Sequence, residues 1–195
     1  MKKLMMIAVM AIFAMTASAQ NTNREVGAFT LQPKVGLTIG SFSGEYITVG
    51  GKVDTKKRVG FTAGLEGEIY ATNWLGIALG LNYAQQGWKF GDVKCKYDYL
   101  NVPLVADFYV ARGLALKTGV QLGFLMNAKW DDLNVKDDCN KTNFSIPIGI
   151  SYEFSNVVLD LRYNVALSKV NKNATDNLKF RSDLVQITIG YKFEL

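Results

Sequence analysis

Along most of the chain, large apolar residues alternate one for one with small or polar ones. The last run shows the form. Val185, Ile187, Ile189, Tyr191 and Phe193 fall on one side of a pleat, and Gln186, Thr188, Gly190 and Lys192 fall on the other. A period of two is that of a β-strand, whose successive side chains leave on opposite faces. Eight windows carry it: 29–40, 59–70, 75–84, 99–110, 114–127, 143–154, 157–168 and 185–193. No position on the apolar face of any window is charged. The opposite face carries Lys34, Glu66, Glu68, Asp107, Lys117, Glu153, Asp160, Arg162 and Lys192, with glycines such as Gly36, Gly64, Gly119 and Gly149 between them.

A sheet with one charge-free side must close on itself or be covered. A soluble lipocalin-like barrel turns that side inward, and a transmembrane barrel turns it to lipid. The connections favour lipid. Long ones (41–58, 85–98, 128–142 and 169–183) alternate with short ones (71–74, 111–113 and 155–156). Transmembrane barrels pair long outer loops with tight periplasmic turns in this way. A window such as 29–40, at about 3.3 Å per residue and a tilt of about 40°, covers roughly 30 Å, the depth of a hydrocarbon layer. Trp74, Phe108, Phe154 and Phe193 gather near one end of the windows, and Tyr83, Phe124, Phe144 and Tyr163 near the other. Two such girdles mark the two membrane interfaces. The pattern predicts an all-β, eight-stranded antiparallel up-and-down transmembrane β-barrel, closed between its first and last strands.

The beginning of the chain agrees with export. Lys2 and Lys3 precede an apolar run from Leu4 to Met15, then Ala17-Ser18-Ala19. This reads as a signal peptide over 1–19, cleaved between Ala19 and Gln20, with the barrel domain over 20–195. An exported barrel of this kind belongs in the outer membrane, among lipid and lipopolysaccharide and in the hands of the outer-membrane assembly machinery. Net charge is +5, from 22 Lys and Arg against 17 Asp and Glu, and Lys2 and Lys3 contribute two of it. That balance is too mild to suggest nucleic acid as a partner.

Three segments point to a family. They are Tyr99-Leu100-Asn101-Val102-Pro103-Leu104, then Leu116-Lys117-Thr118-Gly119-Val120 with Gly123, then Asp160-Leu161-Arg162-Tyr163-Asn164. In them the chain resembles the PorT-like family of eight-stranded outer-membrane β-barrel domains, and more loosely the OmpX and OmpA transmembrane barrels. The resemblance implies an integral outer-membrane barrel and carries an association with protein secretion. Strands of this kind often end on an aromatic residue that the assembly machinery reads. Tyr191 and Phe193 supply that signal here, displaced by Glu194 and Leu195.

The candidate chemistry is sparse. Nine charges in the interior of a narrow barrel, five acidic and four basic, should neutralise one another, because an unpaired charge there is costly. Tyr70, Tyr99, Tyr109 and Leu125 also point inward. The expected lumen is therefore plugged by side chains, with a narrow ion path as the alternative. Glu66 and Glu68 share a face about 7 Å apart, and neighbouring Lys34 or Arg162 is expected to neutralise them. Cys95 and Cys139 fall in two long connections, and an even pair in an exported protein suggests a disulfide. Two cysteines without histidine make half a zinc site. The acids around Asp131 and Asp137 lack the spacing of a calcium loop. No cofactor or metal is expected. The chain contains no histidine, so histidine-based hydrolase or acyltransferase chemistry has no obvious proton acceptor. A Lys or carboxylate base is the alternative, but no Ser-centred motif accompanies one, and no enzyme is expected. Four readings remain: a plugged barrel meeting a protein partner through its outer loops, a narrow porin-like channel, an accessory of a secretion assembly, and a soluble ligand-binding barrel.

Overall fold

The computed structural model describes residues 24–43, 56–90, 93–130, 133–134, 140–168 and 181–195. Eight long strands form the wall: β1 (Phe29–Ser43), β2 (Lys56–Thr72), β3 (Leu75–Phe90), β4 (Val93–Ala111), β5 (Leu114–Trp130), β7 (Thr142–Phe154), β8 (Val157–Ala166) and β9 (Arg181–Tyr191). Two short pieces, β6 (Leu133–Asn134) and β10 (Phe193–Glu194), pair back on β5 and β1. Every long strand is antiparallel to its sequence neighbours, and β9 returns to β1 from Lys34↔Gly190 to Ser43↔Arg181. The sheet is therefore a closed eight-stranded antiparallel barrel. No helix occurs among the described residues.

Three connections are tight. Asn73-Trp74, Arg112-Gly113 and Ser155-Asn156 turn the chain at one end, called here the turn end. Gly113 has φ +72°, a left-handed conformation that glycine adopts without steric cost. The chain enters β1 and leaves β9 at this same end, where β10 extends the closure through Thr30↔Glu194 and Leu31↔Phe193. The opposite end, the loop end, holds the remaining connections.

There every long strand except β8 runs past its window. The segment 85–98, expected as a loop, is mostly strand: β3 and β4 stay in register from Gln85↔Asp98 out to Phe90↔Val93. The reason is physical. The apolar-out alternation holds only where the outer face meets lipid. Beyond that band the outer face turns polar at Lys96 and Asp98 while Tyr97 is buried on the other, so the pattern no longer marks the strand. Cys95 accordingly lies within β4, opposite Trp88 and Trp130, and not in a loop.

The faces are assigned as the pattern requires. Outward residues such as Leu37, Leu65, Leu79, Leu104, Leu122, Ile148, Leu161 and Ile187 are exposed, while Lys34, Glu66, Asp107, Lys117, Asp160 and Arg162 are buried. A soluble barrel would show the reverse. Trp74 stacks on Phe108 at 6.2 Å and Tyr191 packs on Phe193 at 4.7 Å, both at the turn end of the apolar band. One expectation fails here. Leu114, placed by the alternation on the outer face, is 2% exposed, because it opens β5 directly after the Arg112-Gly113 turn, where the pleat does not yet alternate.

Candidate functional site

The lumen is where chemistry-bearing residues meet. β2 contributes Glu66 and Glu68, β1 Lys34, β4 Asp107, β5 Lys117, β7 Glu153 and β8 Asp160 and Arg162, each at an inward position of its strand. Lys192 sits between β9 and β10 and also points in. All nine predicted lumen charges are thus inside, and they fall into two tiers.

The central tier is built on Glu66. Its carboxylate accepts from Lys34, from Lys117 Nζ at 3.0 Å and from Arg162 Nη2 at 2.8 Å to both oxygens. Arg162 also forks onto Asp160, with Nε at 3.0 Å from Oδ1 and Nη2 at 2.8 Å from Oδ2. Lys117 Nζ closes the set at 2.9 Å from Asp107 and 3.2 Å from Asp160. Three cations face three anions, so the tier is neutral.

The second tier lies toward the turn end. Lys192 Nζ donates to Glu68 at 2.9 Å and Glu153 at 3.1 Å, and lies 3.2 Å from Tyr109 Oη and 3.3 Å from Tyr70 Oη, which share its third proton. Tyr109 Oη donates to the other Glu68 oxygen at 2.6 Å. Glu68 is therefore held by Lys192 and Tyr109, while Lys34 and Arg162 serve Glu66 alone among the two glutamates. The sequence reading did not single out Arg24. It precedes β1, lies 3.6 Å from Glu153 and stacks its guanidinium 3.6 Å above the Tyr109 ring. Arg24 is the fifth cation against five acids, so this tier is neutral as well. Its only sequence signal was the imbalance of the nine charges.

Glycine makes room for these long side chains. A Cβ at Gly149 would lie 2.9 Å from Cγ of Arg162, and one at Gly76 would lie 2.8 Å from Cδ of Glu68. Tyr70, Tyr99 and Leu125 are buried in the lumen at 4–5% exposure. Toward the loop end the interior turns neutral: Asn82, Asn101, Gln121, Asn164 and Gln186 are buried, with Gln186 Nε2 donating to Thr62 Oγ1 at 3.3 Å. Among the described residues no cluster of metal-ligating side chains occurs. The paired charges and buried rings fill the bore between the strands.

The remaining predicted positions divide. Tyr191 and Phe193 point outward at the seam, and Leu195 N donates to Phe29 O at 3.0 Å, so the residues after Phe193 are tied into the wall. Ala19, Gln20 and Cys139 lie outside the described residues.

A family model described as an outer membrane protein beta-barrel domain matches residues 18–172. No curated protein matches the chain. Solved structures do. The attachment invasion locus protein Ail of Yersinia pestis superposes with a TM-score of 0.53 at 16% identity, covering 87% of this chain and 100% of Ail. Neisserial surface protein A gives 0.53 at 20% identity, covering 86% and 99%. OprG of Pseudomonas aeruginosa gives 0.50 at 13% identity, covering 90% and 100%. At these identities the likeness concerns the fold.

Proposed function

The chain belongs to the outer-membrane β-barrel domain family, and from that premise we propose that it is a non-enzymatic integral barrel with a plugged lumen, acting as a structural or interaction protein through its loop end. The carrying observation is the double tier of neutralised charges. Three acids and three bases meet at the centre, and a second neutral set fills the turn end. A path for ions would have to break these contacts, and the Tyr70 and Tyr109 rings, 5.8 Å apart and edge to face, narrow it further. A surface that meets a protein partner is then left to the loop end, taken here as extracellular with the tight turns in the periplasm. The Tyr99–Leu104, Leu116–Val120 and Asp160–Asn164 segments support a PorT-like member, and that resemblance carries an accessory place in a secretion assembly as the alternative reading. Residues 1–19 serve as the cleaved leader, and Tyr191 with Phe193 as the mark for the assembly machinery.

The test is electrical. In planar bilayers the folded protein is expected to show no steady openings, and steady nanosiemens-scale conductance would replace this reading with the narrow channel.

The disulfide is part of the same proposal. Cys95, Trp130 and Leu133 lie in one row across β4, β5 and β6. That places Leu133, shortly before Cys139, about 10 Å from Cys95, at two strand spacings. A Cys95–Cys139 bridge would clamp the loop end and add up to about 4 kcal/mol by restricting the unfolded chain. Thiol labelling of unreduced protein should modify neither cysteine, and full modification of both would remove the bridge.

A further inference from the structure

Lys96 of β4 and Lys129 of β5 are direct cross-strand partners. Both are exposed, and Tyr97 and Ala128 beside them are buried, so the lysines project from the outer surface of the wall. Like charges placed opposite each other destabilise a strand pair unless something offsets them. The acid nearest on these strands is Asp98. It accepts from Asn127 Nδ2 at 3.4 Å, two residues closer to the apolar band on each strand. Asn134 stands opposite Lys129 on its other side.

The height of the pair is informative. Asp98 and Asn127 stand between the pair and the apolar outward residues Leu100, Phe124 and Met126, and Met126 is exposed like the rest of the band. Lys129 lies three positions further along β5, about 8 Å beyond Met126 for a tilted strand. That is the head-group zone next to the hydrocarbon. We propose that Lys96 and Lys129 form a phosphate-binding site for the phosphorylated glycolipid of the outer leaflet. A phosphate between the two ammonium groups offsets their repulsion and gains two charge-assisted hydrogen bonds. The pair stands on the lipid-facing side of the wall, not on a loop tip, so the anion that reaches it comes from the membrane. The inference rests on the membrane-inserted reading above and names one of its partners.

Native mass spectrometry of the folded protein in detergent, with diphosphoryl lipid A as the probe, tests it. The K96Q/K129Q variant should bind the probe about thirtyfold more weakly, since each basic side chain near an anionic surface contributes about 1 kcal/mol. Both lysines are exposed, so the variant should keep the heat-modifiable gel mobility of a folded barrel. Equal binding by the two proteins overturns the site. A heparin fragment that binds the wild-type protein as tightly as lipid A does, and is lost in the variant, also overturns it by assigning the pair to soluble polyanions. Failure of the wild-type protein to fold into lipid vesicles overturns the barrel reading itself, a result separable from loss of the lysine site alone.

Discussion

Replacing Glu66 by glutamine is expected to cost the folded barrel about 3–5 kcal/mol, the penalty of leaving a buried charge without its partner. Glu66 is 2% exposed and accepts from Lys34, Lys117 and Arg162 at once. Glutamine keeps the length of the side chain but removes its charge. Asp107 and Asp160 then face three cations, and one positive charge stays uncompensated in a nearly dry interior. The remedy is specific. Lys34→Met in the same chain restores neutrality, because Lys34 bonds Glu66 and no other carboxylate in the tier. The double variant E66Q/K34M should therefore be more stable than E66Q alone, by more than additivity allows. Urea unfolding from lipid vesicles, followed by the heat-modifiable band, reads both effects. A loss under about 1 kcal/mol for E66Q would mean that the tier is hydrated like a surface ion pair, whose contribution lies in that range.

How much of this was legible follows from where a physical constraint acts on the sequence. Within the apolar band every outward side chain meets lipid and every inward one meets a crowded lumen, so the alternation was unambiguous. Strand identity, antiparallel order, closure and the inward placement of all nine charges were readable there. Above the band that constraint lapses. Gln85 to Phe90 and Val93 to Asp98 therefore looked like loop, although they pair as a continuous hairpin. Pairing partners inside the lumen were only half legible, because alternation fixes the face of a residue but not which side chain reaches it across the bore. Glu68 turned to Lys192 and Tyr109, neither close in sequence. Arg24 lies before the first alternating residue, where no period points to it, and only the charge balance hinted at a missing cation. The Lys96–Lys129 pair depends on a register that a bulge between Asp98 and Tyr99 shifts, and nothing in the sequence marks that bulge.

The second large effect belongs to the outer face. Leu79 lies on β3 midway between Trp74 and Tyr83, the aromatic levels at the two ends of the band, and is 58% exposed. In a soluble protein such a leucine would be replaceable by lysine at little cost, because its side chain would already meet water. In hydrocarbon the same change carries an ammonium group to the deepest point of the layer, at about 2–4 kcal/mol. Val59 of β2 is as exposed, at 60%, but stands beyond the Tyr83 level toward the loop end: Ala63 is the residue opposite Tyr83, and Val59 precedes it. A lysine there reaches the interface, and its cost should fall to about 0–1 kcal/mol. Depth alone separates the two positions.

That contrast tests most directly whether the apolar exterior of the barrel meets acyl chains. The measurement is the unfolding free energy of L79K and V59K, each against the unmodified protein, in lipid vesicles. A loss at Leu79 exceeding that at Val59 by about 2 kcal/mol or more is the result expected of a wall that spans the bilayer. Equal and small losses at both positions, from a protein that stays folded and soluble without lipid or detergent, would contradict it.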